Sequence, residues 1–190
     1  NENWQSNGPV SYKTAKACFK DMTTPEAVSI TSSFAETMLA AKPAGEKVSC
    51  SVLQVDDDFW KVFQFDFLSG YPFDKATFDA GATKAVITED IARQLFGTTD
   101  VVGKTFLLNH SAYMICGVVR PVSKLARYAY AQIWIPLSST DAFTASWENY
   151  GIMGMVSVYI LAKSQDDFPA IRMAVSYTHL RAHETSQDLV

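Results

Sequence analysis

Three consecutive aspartates, Asp56, Asp57 and Asp58, form the densest group of potential metal ligands or acid/base residues in the sequence. Converging carboxylates can bind a divalent cation or act as an acid and base pair. Consecutive side chains diverge, however, and no glycine-turned loop follows; Phe59 and Trp60 instead begin an apolar helix face. Because acidic residues stabilise a helix N-terminus through its dipole, we expect these aspartates to begin a helix.

His110 is the one histidine that precedes the last sixteen residues of the chain, and Ser-His-Asp or Cys-His chemistry would require it as the base. It follows Asn109 between two β-patterned segments, a position typical of a surface turn. The sequence also lacks a nucleophile elbow, a phosphate loop, a dinucleotide fingerprint and a zinc pattern. We therefore expect no catalytic, cofactor-binding or metal-binding residue, and we expect the chain not to be an enzyme.

The three cysteines, Cys18, Cys50 and Cys116, are far apart and have no CxxC spacing. Cys18 falls on the apolar face of a predicted helix, and the other two fall inside predicted strands. Buried free thiols are the common state of such residues, and we expect that state here.

Residues 175–190 resemble one translated reading frame of a transposon-type sequencing adapter. In that tail His179 and His183 stand four residues apart beside Glu184, a spacing that would otherwise indicate two metal ligands on one helix face. We expect the native part of the chain to be residues 1–174 and the tail to be non-native, so this histidine pair carries no site.

The composition is that of a globular protein, with 48% hydrophobic and 13% aromatic residues, enough for one domain or for two small lobes sharing an interface. A net charge of −4 and scattered lysines give no basic surface for nucleic acid. No apolar run is long enough to cross a bilayer, and no secretory signal begins at Asn1. The chain also lacks an initiator Met, and we expect it to be a fragment.

Helical signals are strongest at two places. Ser11 precedes apolar residues with helical spacing that continue to Met22. Thr88 precedes an acidic first turn, and Gly97 follows as a stop, which predicts a helix capped by the Thr88 side chain. A further helix is expected within Ser138–Trp147, and a final one begins at the paired acids 166–167.

Strand signals alternate irregularly with these helices, which predicts an α+β fold with mixed or antiparallel sheets and packed helices. Segment 34–41 has no clear helix or strand period. The predicted strands are Val28–Thr31, Val48–Val52, Lys84–Ile87, Lys104–Leu108, Ser111–Val119, Gln132–Pro136 and Met155–Ala162. The two segments that flank Asn109 and His110 are expected to form a hairpin.

A cluster of aromatic residues lies between these elements and favours a shared core over a ligand pocket. Its members are Phe59, Trp60, Phe63, Phe65, Phe67, Tyr71 and Phe73.

Six pieces of the sequence, taken in order, resemble the MacB-like periplasmic core domain of FtsX-like ABC transporter permeases. The pieces are Val55–Phe63, Phe67–Phe73, Ala85–Gly97, Asp100–Thr105, Tyr113–Val119 and Ile133–Pro136. Tyr71 departs from the family pattern, in which an Arg is common.

This resemblance implies a domain on the periplasmic side of the bacterial inner membrane, inserted between the first two of four membrane helices and followed by a stalk. It implies mechanical coupling of cytoplasmic ATP hydrolysis, in a separate or fused ATPase, to export of substrates such as peptides, lipoproteins or macrolides. The expected partners are the ATPase, a periplasmic adaptor protein and a second copy in the intact transporter, whereas the isolated domain is expected to be monomeric. The alternatives are a free-standing periplasmic ligand-binding module and a hydrolase of unrecognised motif.

Overall fold

The computed structural model of the chain describes residues 11–43, 45–140 and 156–187, with side chains described as far as residue 177. The helices are α1 (Tyr12–Ala15), α2 (Phe59–Val62), α3 (Lys75–Asp79), α4 (Glu89–Phe96) and α5 (Phe168–Gln187), and a π-helical turn (Lys16–Lys20) continues α1. The strands are β1 (Ala27–Ser32), β2 (Glu36–Ala41), β3 (Lys47–Val55), β4 (Phe67–Gly70), β5 (Lys84–Thr88), β6 (Thr105–Leu108), β7 (Ser111–Val119), β8 (Ile133–Pro136) and β9 (Val156–Leu161). Among the described helices, none combines the length and the apolar character needed to span a membrane.

Six of the strands close into a barrel in the order β2, β6, β7, β5, β8 and β3. The pairs β7–β5 and β8–β3 are parallel, and the other four pairs are antiparallel. The ring closes between β2 and β6 through the pairs Ala40–Leu108 and Ala41–Leu107. Closure gives both edges of each barrel strand a partner and removes the exposed edges that an open sheet would present.

The barrel interior is filled by alternate side chains of its strands, as the two-residue period of a strand requires. Phe106 and Leu108 point inward from β6, and Ile133 and Ile135 point inward from β8. Helix α4 packs its buried face against the same cluster. The mixed sheet with packed helices confirms the predicted α+β class.

A smaller layer extends from the barrel through β3, whose last residue pairs with Thr31 of β1. Strand β1 then pairs antiparallel with β9 along its whole length, from Ala27–Leu161 to Ser32–Val156. Ala15 of α1 is buried in a cluster with Ile30 of β1 and Val156 of β9. The described strands therefore form one continuous hydrogen-bonded network, with a barrel at one side and the β1–β9 layer at the other.

The local signals in the sequence match several elements. Ser11 caps α1, because its Oγ accepts a hydrogen bond from Thr14 N at 3.2 Å. Gly97 ends α4 in the left-handed conformation, with φ of 74°. Asn109 and His110 both have positive φ and join β6 to β7, which confirms the hairpin.

Other local predictions were wrong or incomplete. Thr88 occupies the N-cap position of α4, but its hydroxyl makes no capping bond, because the strand directs this side chain into the core. No helix was predicted directly after Phe73, but this segment contains α3, whose start is capped by Asp74 through a 2.9 Å hydrogen bond from Thr77 N. A helix was predicted within Ser138–Trp147. Residues 141–147 of this segment lie outside the described residues, and residues 138–139 are the end of a 3₁₀ turn.

Candidate functional site

The residues with the greatest potential for chemistry, Asp56 and Asp58, converge on the ammonium group of Lys20. Lys20 Nζ lies 2.7 Å from Asp56 Oδ2 and 2.8 Å from Asp58 Oδ2. It also donates to the carbonyl oxygen of Val28 at 2.7 Å. The three protons of the ammonium therefore have three acceptors, and the position between the two carboxylates is occupied by Lys20.

The Asp56 carboxylate is fully buried and accepts three further hydrogen bonds besides the one from Lys20. Ser29 Oγ donates to Oδ1 at 2.8 Å, Ile30 N donates to Oδ2 at 2.8 Å, and Phe59 N donates to Oδ1 at 3.1 Å. Four donors on two oxygens stabilise an ionised carboxylate. Asp56 thus ties the π-helical turn, β1 and the start of α2 together.

The pKa directions of this network follow from burial and from the paired charges. Burial raises the pKa of Asp56, while the Lys20 ammonium and the donors from Ile30 and Ser29 oppose that rise. Burial lowers the pKa of Lys20, but the charges and hydrogen bonds of Asp56 and Asp58 together outweigh burial and raise the pKa. A raised lysine pKa keeps the ammonium charged at neutral pH.

The structure changes the sequence interpretation of the three aspartates. The prediction that they begin a helix is confirmed, since α2 starts at Phe59. Asp58 makes no side-chain capping bond, however, because its oxygens are paired with Lys20 and Lys61. Sequence reasoning missed Lys20, because nothing near it in sequence indicates an acidic partner far along the chain.

The aromatic cluster covers the outer face of the barrel. Phe59 and Phe73 are buried, and the Trp60 ring lies 5.3 Å from the rings of both Phe59 and Phe73, centroid to centroid. Edge-to-face contacts of this kind are typical of an aromatic core. The prediction of a shared core is confirmed for these residues, but Tyr71 is 81% exposed and is not part of it.

An open groove of about 390 Å³ lies beside this cluster, between the segment that joins α2 to β4 and the loop that follows β7. At its mouth Arg120 Nε is 2.7 Å from Asp66 Oδ2. The lining residues are Val62, Phe63, Gln64, Phe65, Asp66, Arg120, Pro121, Val122, Ala126 and Ala129. For the aromatic cluster the sequence favoured a shared core over a ligand pocket. The structure has both an aromatic core and, beside it, this groove.

The remaining candidate residues are separated from these sites. His110 is exposed at the tip of the β6–β7 hairpin. The side chains of His179 and His183 lie outside the described residues. Among the side chains that the structure describes, no three His, Cys, Asp or Glu residues are grouped so as to hold a metal ion.

The three cysteines are free thiols, with Cys50 buried and the other two half-buried. Burial raises the pKa of Cys50 and of Cys116 from 9.0 to about 11. Since the thiolate is the reactive form, a rise of this size leaves about 100-fold less thiolate at pH 8 than in a thiol with a pKa of 9.0. Burial also raises the pKa of Cys18.

We expect two of the three thiols to react with Ellman's reagent at pH 8 at least about 100-fold more slowly in the folded chain than in urea. Replacing Cys18 by Ser should remove the fastest native phase and leave the reactions of Cys50 and Cys116. Rapid native reaction of more than one thiol per chain would contradict the raised pKa values of Cys50 and Cys116.

A sequence profile of the MacB-like periplasmic core domain matches residues 3–176 of the chain. The chain belongs to this family. It is accordingly the extracytoplasmic domain of an ABC transporter permease, on the periplasmic or extracellular side of the membrane. Within the resembling pieces, Gly117 lies so close to Phe67 and to the Tyr71 carbonyl that a Cβ atom would be 2.7 and 2.9 Å from them.

This MacB-like domain is similar to the uncharacterized ABC transporter permease YknZ of Bacillus subtilis (strain 168), with 24% identity over 122 residues. That alignment covers 64% of this chain and 29% of the permease, so the chain spans less than a third of its relative.

Three crystal structures share the fold of this MacB-like domain at low sequence identity. The extracellular domain of the noncanonic ABC-type transporter YknZ from Gram-positive bacteria has a TM-score of 0.63 and 16% identity, covering 87% of this chain and 79% of that one. The periplasmic region of MacB from Actinobacillus actinomycetemcomitans has a TM-score of 0.68 and 12% identity, covering 95% and 77%. A domain of a permease protein from Porphyromonas gingivalis has a TM-score of 0.69 and 18% identity, covering 92% and 78%.

Proposed function

We propose that this domain couples ATP hydrolysis in a cytoplasmic ATPase mechanically to export or efflux through the permease. The observation that carries the proposal is the meeting of the first and last described helices on one layer of the fold. The π-helical turn contacts α5, and α1 contacts β9. A displacement of either helix therefore acts on the same part of the sheet.

The β1–β9 layer is suited to pass such a displacement onward. Strands β1 and β9 are hydrogen-bonded along their whole length, and β1 is joined to the barrel through β3. The Lys20–Asp56 pair adds a charged contact between the π-helical turn and the chain segment that follows β3. Packed cores and paired strands move as rigid bodies, so the barrel would follow the helices.

The proposed partners are an ATPase subunit or domain, a periplasmic adaptor protein and a second copy of the domain in the intact transporter. We propose no catalytic centre for the domain itself. The support is that Asp56 and Asp58, the best candidates for chemistry, use their oxygens to hold Lys20 and backbone N–H groups.

The test is a distance measurement in the full permease with its ATPase, reconstituted in lipid nanodiscs. A spin label is placed at exposed Gln94 on α4, in a background without native cysteines, and distances between copies are measured by pulsed electron paramagnetic resonance. We expect one inter-copy distance without nucleotide and a different one with ATP and vanadate. The control is a Gln94–Lys47 label pair within one copy, diluted with unlabelled copies, whose distance should stay constant.

Either of two results would count against the proposal. Identical inter-copy distances in both nucleotide states would exclude the mechanical coupling. The absence of any inter-copy distance would exclude the second copy.

We also propose that residues 175–190 are non-native. The support is the adapter resemblance and the end of the family match at residue 176, although the backbone of α5 continues to Gln187. Long-read sequencing of the source DNA should show a different coding sequence after Ala174, encoding a stalk and further membrane helices. The same residues in long reads would contradict the proposal.

A further inference from the structure

The loop that forms one wall of the groove, residues 120–131 and here called the groove loop, has an unusual charge. Residues 101–140 contain no Asp or Glu, although the whole chain has 20 acidic residues and a net charge of −4. The groove loop carries Arg120, Lys124 and Arg127 within this acid-free segment. A local excess of cations on an acidic protein concentrates anions at that place.

The net charge at the groove mouth is positive, because the Arg120–Asp66 pair is neutral and Lys124 and Arg127 each add a positive charge. Asp66 is the one carboxylate that lines the groove, and its oxygen is already paired with Arg120 at 2.7 Å. Lys124 and Arg127 flank the lining residue Ala126 and are exposed, and no carboxylate among the described residues forms an ion pair with either. Both cations are exposed at the surface, where an anionic group from outside can contact them.

Most of the residues that line the groove are apolar, and the groove adjoins the aromatic cluster. Phe63 and Phe65 line one side, and Val122 and Ala126 line the other. The Phe65 ring lies 5.0 Å from the Trp134 ring, centroid to centroid. A volume of about 390 Å³ falls within the range of small-molecule sites, which are mostly apolar with a few polar groups at fixed places.

Apolar surface also extends outward from the groove along the same loop. Leu125 is 94% exposed and Tyr128 is 61% exposed, and the Tyr128 ring packs at 5.8 Å from the Tyr159 ring. Exposed large apolar side chains next to exposed cations match the two ends of an amphiphile. An alkyl chain carries no polar groups that would need hydrogen-bond partners along the apolar part of the groove.

We propose that the groove and the groove loop bind a single anionic amphiphile, with its alkyl chain along Phe63, Phe65 and Val122 and its anionic head group on Lys124 and Arg127. This inference rests on the groove alone and does not depend on the proposed transport role.

The test measures quenching of tryptophan fluorescence in the purified chain by bromododecanoate below its micelle concentration. Trp60, whose ring is 5.3 Å from the Phe65 ring, reports on the groove. We expect saturable quenching by this anionic probe and about tenfold weaker binding of neutral bromododecanol, since the two exposed cations each add a modest attraction.

Two variants separate the charge from the groove. Lys124→Glu with Arg127→Glu should weaken bromododecanoate binding about tenfold or more, while Lys42→Glu with Lys47→Glu, an equal charge change at residues that do not line the groove, should leave it unchanged. Ala126→Phe should abolish binding of both probes by filling the groove, with the urea unfolding midpoint unchanged.

Three outcomes would overturn the inference. The first is absence of saturable quenching in the unmodified chain. The second is equal affinity for the two probes together with no effect of the Lys124 and Arg127 reversal. The third is binding that appears only with phosphatidylglycerol vesicles and persists in Ala126→Phe, which would indicate a membrane-surface contact of the loop instead of a groove ligand.

Discussion

We expect Lys20→Met to lower the free energy of unfolding by about 3 kcal/mol. The measurement is a urea titration followed by tryptophan fluorescence. The reason is that the Asp56 carboxyl group, with no exposed surface, loses its counter-ion and the hydrogen bond from Lys20. Breaking a buried ion pair from one side costs about 3–5 kcal/mol, and the low end applies because the Lys20 side chain is 21% exposed.

The matched control is Lys61→Met. Asp58, which pairs with Lys20, also pairs with Lys61 at 2.8 Å, but the Lys61 side chain is 67% exposed. Exposed pairs contribute about 0–1 kcal/mol, so this variant should unfold near the wild-type midpoint. The double variant Lys20→Met, Asp56→Leu should recover part of the lost stability, because it removes the unpaired carboxylate. Equal effects of the two lysine variants would contradict the assigned role of Lys20.

Gly70→Ala should destabilise the chain by about 3 kcal/mol or more. Gly70 has a φ of 69°, a conformation that costs an L-residue about 1–2 kcal/mol. An added Cβ atom would also overlap the carbonyl oxygen of Cys116 on β7. The same oxygen accepts the hydrogen bond from Tyr71 N at 3.0 Å, so relief of the overlap would pull β4 away from the barrel.

Gly97→Ala separates the two causes of this effect. Gly97 has a similar φ of 74°, but apart from its two chain neighbours no described residue has an atom within 4 Å of an added Cβ. The backbone conformation alone should then cost about 1 kcal/mol, with the aromatic near-ultraviolet circular dichroism of the cluster retained. Similar losses of stability in Gly70→Ala and Gly97→Ala would show that the contact with Cys116 is not important.

Much of the local structure could be predicted because it depends on residues close together in sequence. The β6–β7 hairpin follows from Asn109 and His110, which accept positive φ, between two apolar runs. Helix α4 follows from its acidic first turn and from Gly97. The family resemblance likewise depends on short ordered pieces, and the family match over residues 3–176 confirms it.

The candidate sites depended on contacts that no local pattern encodes. Segment 34–41 had no clear period, and β2 is a strand because β3 and β6 pair with both of its edges. The sequence placed Asp56 at a helix start, which is correct, but its main partner is Lys20 on another element. The groove likewise requires that the loop after β7 be folded beside the segment that follows α2.

The sequence by itself therefore determined the elements that have clear local signals, the α+β class and the family, since turns, caps and apolar periods act over a few residues. Only the tertiary structure decided that six strands close into a barrel, that Asp56 is paired and fully buried, and that Tyr71 is outside the aromatic cluster. The physical reason is that strand closure, ion pairing and burial are set by hydrogen bonds and charges between residues distant in the chain, whose energies depend on a geometry that is complete only when the chain is folded.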